Sequence, residues 1–66
     1  MITYTLKLVN EKGYSSVKTA EILPRNDEYI ILKGQHGDII RIFVCKVEHH
    51  TYKDPTEIII WGKVIP

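Results

Sequence analysis

The chain has 66 residues, the size of one small domain, and it is too short to bury a large core. Hydrophobic residues make up 44% of it and charged residues 26%, a composition that excludes intrinsic disorder and predicts one folded domain over residues 1–66. Nine basic and eight acidic residues leave a formal charge of +1, so no global field draws the protein to nucleic acid or to an anionic membrane.

Cysteine content and hydropathy bear on where the protein works. Cys45 is the single cysteine, which rules out a disulfide within the chain and is typical of a reducing compartment. No run approaches the roughly eighteen apolar residues that cross a bilayer, and the N-terminus lacks the basic-then-apolar layout of a signal peptide. We therefore expect a soluble protein of the cytoplasm, in its source cell or in a host.

The first predicted strand covers Ile2–Leu8, where apolar and polar residues alternate with a strict period of two. Such alternation indicates one buried and one solvated face. Residues 10–13 end in Gly13, which supplies the positive φ of a hairpin turn. Residues 14–23 are predicted to return as a second strand, although residues 19–23 also fit a helical turn.

The middle of the chain predicts a turn, a strand and a loop. Pro24 presets φ, and the Asn and Asp that follow hydrogen-bond their own backbone, so residues 24–27 are predicted to turn. Tyr29–Lys33 is predicted as a short buried strand. Residues 34–38 contain two glycines and are predicted to form a hairpin loop.

A long strand is predicted from Ile39 onward, and its apolar face changes sides near Cys45. Val44 has the parity of the isoleucines before it, whereas Val47 has the opposite parity. A β-bulge at residues 45–46 explains the change, because a bulge inserts one residue and re-aims the side chains that follow. The bend that it adds favours a sheet that curls over on itself.

Residues 53–56 predict the last turn, and Glu57–Ile65 predicts a final strand with apolar residues on both parities. One parity should fill the core and the other should need a separate cover. Five short strands separated by turns predict an all-β fold, a small SH3-like barrel of about five antiparallel strands. The two apolar sets of the final strand are Ile58, Ile60 and Val64 on one parity and Ile59, Trp61 and Ile65 on the other.

One pattern runs over residues 23–60. Leu23-Pro24 is followed shortly by an acidic residue and by Tyr29-Ile30-Ile31-Leu32, then by Val44-x-x-Val47-x-His49 and the β-rich ending Ile58 to Ile60. This pattern resembles one found in small, mostly uncharacterised phage and bacterial proteins with SH3-like barrels. The resemblance implies the fold and an origin in a mobile element, and it implies no activity.

Cys45 lies four residues before the adjacent pair His49 and His50, a combination of residue types that also occurs in zinc sites. Along a strand, Cys45 and His49 lie about 13 Å apart, whereas two ligands of one zinc ion lie within about 4 Å of each other. His49 and His50 point to opposite faces, so we expect His49 to be partly buried and His50 to face solvent. We expect no metal site and no cofactor.

Catalysis is not expected either. Thiol catalysis needs a histidine within hydrogen-bond reach of the thiol, whereas a free cysteine is more often a small buried hydrophobe, which is what we expect of Cys45. The carboxylates lie mostly at predicted turns, and the sequence has no glycine-rich phosphate loop and no nucleophile elbow. The sequence therefore favours a protein that is not an enzyme.

A protein-binding module is the favoured function, because the final strand has a second apolar face and because Trp and Tyr often anchor interfaces. If that strand is an edge, a second copy can pair with it and form a homodimer. With the resemblance, this predicts a phage or mobile-element accessory protein that blocks a host factor. The candidate partner-binding residues are Tyr52, Ile59, Trp61 and Ile65.

Three alternatives remain open. The first is a small nucleic-acid-binding barrel that uses Arg41, Lys46 and Lys63 as its basic groups. The second is a structural subunit whose role is assembly. The third is a closed barrel that wraps both faces of the final strand and leaves no surplus surface for a partner.

Overall fold

The computed structural model describes every residue from Met1 to Pro66 and shows an all-β fold. The strands form one curled sheet, a half-barrel compatible with a small SH3-like barrel, in the order β2-β1-β5-β4-β3. The predicted five-stranded all-β class is confirmed. One pair, β1 with β5, is parallel, and the other three pairs are antiparallel. The strands are β1 Ile2–Leu8, β2 Glu11–Ala20, β3 Tyr29–Lys33, β4 Ile39–His50 and β5 Glu57–Ile65.

Strands β1, β3 and β5 have the predicted bounds, whereas β2 begins and ends three residues earlier than expected. The turn after β1 lies at Val9 and Asn10, ahead of the predicted glycine turn. Gly13 instead lies inside β2, with a φ of 85°, where the register with β1 shifts. The glycine therefore accommodates an irregularity in an edge strand and does not form the turn itself.

The β-bulge predicted in β4 is confirmed. Val44 pairs with Gly62 of β5, and Lys46 pairs with the next residue along, Trp61, so that Cys45 is the inserted residue. The side chains of β4 after the bulge consequently alternate in the opposite phase. This keeps Val47 on the same side of the sheet as Val44.

The core lies on one side of the sheet, which we call the inner face. Leu6, Ile42, Val44 and Ile60 are completely buried there, and Tyr4, Leu8 and Ile30 complete the buried cluster. Leu23, in the connection from one edge strand to the other, packs against this cluster and helps to cover it. The connection is held to β4 by two backbone hydrogen bonds, from Asp27 N to Val44 O at 3.0 Å and from Val44 N to Glu28 O at 2.9 Å.

Gly62 shows how closely the central strands pack. A Cβ atom at this position would overlap Cγ2 of Ile42 and would lie 3.3 Å from the carbonyl oxygen of Phe43. Ile42 is itself buried, so its methyl group has little room to move away. The glycine is therefore required by close approach across the β4–β5 pair.

Strand β5 lies at the centre of the sheet, bonded to β1 on one side and to β4 on the other. Its backbone has no free edge, so the homodimer expected from pairing of β5 with a second copy cannot form in that way. The free edges belong to β2 and β3.

Strand β3 differs from its prediction as a buried strand. Only Ile30 is buried in it, whereas Tyr29 is 58% exposed and Ile31 56% exposed. The apolar residues of β3 lie on both faces of the strand, and in a single sheet the core covers only the inner face.

The structure contains no helix with the length and apolar character needed to cross a membrane.

Candidate functional site

The face of the sheet opposite the core, which we call the outer face, has two groups of side chains that differ in how fully they are engaged. The first surrounds Trp61 at the centre of the sheet, and we call it the tryptophan cluster. The second lies where β3, β4 and the end of β5 meet, and we call it the β3-edge patch. The tryptophan cluster consists of Lys7, Lys46, Glu48, His50 and Trp61.

Trp61 is half-buried and has a lysine from each neighbouring strand beside it. Lys7 of β1 and Lys46 of β4 both pair with Trp61 in the sheet register. The Nζ atom of each lies 5.6 Å from the centroid of the indole ring, within the range of a cation–π contact. The parallel pairing of β1 with β5 creates this arrangement.

Glu48 is the acceptor at the centre of the cluster. Trp61 Nε1 donates to its Oε1 at 3.0 Å, Lys46 Nζ lies 3.1 Å from its Oε2, and His50 Nε2 lies 3.3 Å from its Oε1. These contacts stabilise the carboxylate and lower the pKa of Glu48 to about 2, with the indole hydrogen bond as the largest cause, followed by those of Lys46 and His50. The carboxylate of Glu48 and the indole N–H of Trp61 therefore both have their partners inside the cluster.

Acid titration should reveal this environment. The folded-state pKa of Glu48 is depressed, so its contribution to stability is complete above pH 4.5 and is lost as the pH falls from there towards about 2. Trp61 is the only tryptophan and bonds this carboxylate, so its fluorescence should titrate with a midpoint near 2. The difference in melting temperature between wild type and Glu48→Gln should likewise be largest near neutral pH and vanish at the acid end. A fluorescence midpoint near 4.5 would show that the contacts do not hold in solution.

The structure does not bring the four predicted partner-binding residues together. Ile59 is buried, with 7% exposure, and Trp61 is occupied by its lysine and carboxylate neighbours. Tyr52 is 79% exposed and follows the end of β4 that pairs with Glu57. Ile65 lies at the other end of β5 and belongs to the second group.

The β3-edge patch combines exposed apolar side chains with an unpaired strand edge. Tyr29, Ile31 and Ile39 are each more than half exposed, and the ring of Tyr29 meets that of Phe43 edge-on at 5.4 Å between centroids. Ile31 and Ile65 flank Arg41 in one row across three strands, around a shallow depression. The apolar members of the patch are Tyr29, Ile31, Ile39, Phe43 and Ile65.

The basic members of the patch are Lys33, Arg41 and Lys63. All three are exposed and none is in an ion pair, unlike Lys46, which contacts Glu48. The strand segments of the patch contain no acidic residue. Asp38 lies in the loop after β3, and Asp27 and Glu28 lie in the connection before it, where Glu28 is paired with Arg25. The patch therefore has a net positive charge, which the overall charge of +1 conceals.

The whole outer face follows the same trend. Five of the nine basic residues lie on its strands, because Lys7 and Lys46 join the three of the patch. Two of the eight acidic residues lie there, Glu48 and Glu57, and both are paired with lysines. The alternation of residues along each strand places these basic side chains on one face. Which residues share that face is known only once the strand order is known.

The cysteine and histidine predictions need correction. Cys45 is exposed at the bulge, with its Sγ 3.7 Å from the carbonyl oxygen of Phe43, because the inserted residue of a bulge is not packed into the core. His49 is exposed, since it lies beyond the core at the end of β4, and His50 is half-buried through its contacts with Glu48 and Tyr52. No three His, Cys, Asp or Glu side chains lie close enough to hold one metal ion.

Comparison with protein-family models, with curated proteins and with solved structures finds no match. Of the two groups on the outer face, the tryptophan cluster contains the partners of its own carboxylate and indole, whereas the β3-edge patch leaves backbone, apolar and basic groups without partners.

Proposed function

We propose that the protein is a non-catalytic protein-binding module and that the β3-edge patch is its recognition surface. The observation that carries this proposal is the apolar, unpaired edge of β3. Proteins commonly protect an edge strand with lysines, prolines, bulges or inward-pointing charges, because a free edge pairs readily with another chain.

The two edges of this sheet are protected to different degrees. Strand β2 has an irregularity at Gly13, an exposed Lys12 and, on the inner face, Lys18 opposite Tyr4. Strand β3 has a regular register throughout, and its one lysine is the final residue, Lys33. Strand β3 is therefore the less protected of the two edges for β-augmentation, in which backbone hydrogen bonds give affinity and alternate side chains give specificity.

The mechanism of such a module is steric. A domain of this size that adds a strand to its partner, or receives one, covers the partner's surface without changing it chemically. This is how an accessory protein of a phage or mobile element would block a host factor, which is the role that we propose for this chain.

Capture from a lysate of the source cells, quantified by mass spectrometry, tests the proposal. The variant Ile31→Thr with Ile39→Thr keeps β-branched side chains but removes apolar surface from the patch, and it should reduce recovery of the specific partner at least tenfold. A matched control is Val17→Thr with Ile22→Thr, which changes two side chains of 70% and 82% exposure outside the patch. Equal recovery by both variants would contradict the proposal.

Nucleic-acid binding is the second candidate, and the basic bias of the outer face favours it. Its three candidate residues differ in their contacts: Arg41 and Lys63 have no ion-pair partner, whereas Lys46 contacts Glu48 and Trp61. This function would replace the first if single-stranded DNA or RNA bound with sub-micromolar affinity at physiological salt. That binding should fall steeply with salt and be lost in Arg41→Ala and Lys63→Ala.

A further inference from the structure

We propose that the partner segment is an extended, acidic stretch of protein that also has apolar residues and that docks beside β3 as a sixth strand. This inference rests on the proposed function and specifies the chemistry of the partner. Three features of the patch carry it: the open backbone edge, the exposed aliphatic side chains and the unpaired basic side chains.

Sheet geometry determines which basic groups a sixth strand can reach. Neighbouring strands lie about 4.8 Å apart, so the added strand would lie directly beside Lys33, about 10 Å from the backbone of Arg41 and about 14 Å from that of Lys63. The long side chain of Arg41 spans most of its gap. The side chain of Lys63 spans less than half of its gap, and the remainder approaches the screening length of about 8 Å at physiological salt. Lys33 and Arg41 should therefore select acidic residues, and Lys63 should contribute weakly.

The apolar requirement comes from the middle of β3. Ile31 is exposed on the outer face, and Leu32 is only partly buried on the inner face. An added strand would place one side chain beside each of them, and covering such surface stabilises a complex by roughly 25 cal/mol per Å² of apolar area. The fitting segment therefore has apolar residues near its centre and acidic residues flanking them.

Charge argues against a second copy of this chain as the occupant. Two-fold pairing of β3 with itself would bring together two patches that both have Lys33, Arg41 and Lys63 and no acidic residue on their strands. Like charges across an interface oppose association, whereas an acidic segment neutralises them. The basic side chains that favour an acidic partner therefore disfavour a second copy of this chain.

The same patch fits nucleic acid less well. Single-strand binding uses several aromatic rings on which successive bases stack. Here Tyr29 is the one exposed ring, and Phe43 is half-buried and edge-on to it. Ile31 and Ile39 offer no stacking surface, and nucleic acid cannot continue the backbone hydrogen bonding of β3.

The test is an NMR titration of the isotopically labelled protein with the capped peptide acetyl-Glu-Ile-Val-Thr-Glu-Val-Glu-amide. Shifts should concentrate in the amides of Tyr29–Lys33. Lys33→Glu and Arg41→Glu should each weaken binding at least tenfold, whereas the matched control Lys12→Glu, on the other edge strand, should change it less than twofold. A version of the peptide with Lys in place of each Glu should not bind.

Two N-methylated peptides separate strand addition from simple charge attraction. Alternate amides of an extended peptide point to opposite sides, so methylating one set should abolish binding and methylating the other should not. Equal binding of the two would overturn the proposal, as would shifts centred on β2, a dimer of the free protein formed through β3, or tighter binding of a ten-nucleotide oligothymidine. Failure of the acidic peptide while the lysate capture still depends on Ile31 and Ile39 would overturn this inference and leave the proposed function standing.

Discussion

Replacing Leu6 with Ala is expected to lower the free energy of unfolding by about 3 to 5 kcal/mol, the range for a large buried side chain whose site cannot collapse. Leu6 is fully buried in β1, with a hydrogen-bonded strand on each side. At about 0.05 to 0.15 kcal/mol per residue, a domain of this length has roughly 3 to 10 kcal/mol in total. Urea denaturation followed by circular dichroism should therefore show a variant that is partly or wholly unfolded in buffer.

The matched control is Ile22→Ala, which removes an isomeric side chain of the same size from a position that is 82% exposed. This variant should stay within about 0.5 kcal/mol of wild type, because it leaves no cavity. If both variants lost similar stability, the inner face would not be the core of the protein.

Much of the fold could be predicted from local patterns, because alternation and turn chemistry act over a few residues. The alternation in Ile2–Leu8 and the doubled apolar pattern in Glu57–Ile65 gave strands with the observed bounds. The change of parity around Cys45 located the bulge, since one inserted residue must reverse the side-chain phase of a strand.

Strand order could not be predicted in this way, because pairing between distant strands leaves no short-range mark in the sequence. Glu57–Ile65 and Tyr29–Lys33 are both apolar on two parities, which left open whether the final strand is an edge and predicted a buried third strand. The structure places the final strand at the centre and the third at the edge. Tyr29 and Ile31 are consequently among the exposed apolar side chains, and sequence reasoning missed them as site residues for this reason.

The predicted site residues show the same division. Arg41 and Lys63 were identified by residue type and prove to be exposed and unpaired. Ile59 and Trp61 were identified because they lie on the second apolar parity of β5. In the structure, residues of β1 and β4 pair with them and cover much of their surface. The exposure of a side chain in β5 depends on the strands beside it, and the sequence of β5 alone does not show which strands those are.

Replacing Trp61 with Ala should therefore weaken the fold more than any interface. Complete burial of an aromatic ring corresponds to about 3 to 5 kcal/mol, and Trp61 is half-buried, so we expect a loss of about 2 kcal/mol that includes its two cation–π contacts. The loss of the indole donor should also raise the pKa of Glu48 towards its ordinary value. Thermal melts and an NMR titration of Glu48 measure the two effects.

Trp61→Phe distinguishes the parts of this role, because it keeps a ring between Lys7 and Lys46 but removes the Nε1 donor to Glu48. It should shift the Glu48 titration as Trp61→Ala does, with a smaller loss of stability. Both variants should keep binding at the β3-edge patch within about twofold, because the tryptophan cluster lies outside it. A Trp61→Ala protein as stable as wild type that lost partner binding tenfold or more would instead make Trp61 a direct interface anchor, as the parity of its strand first predicted.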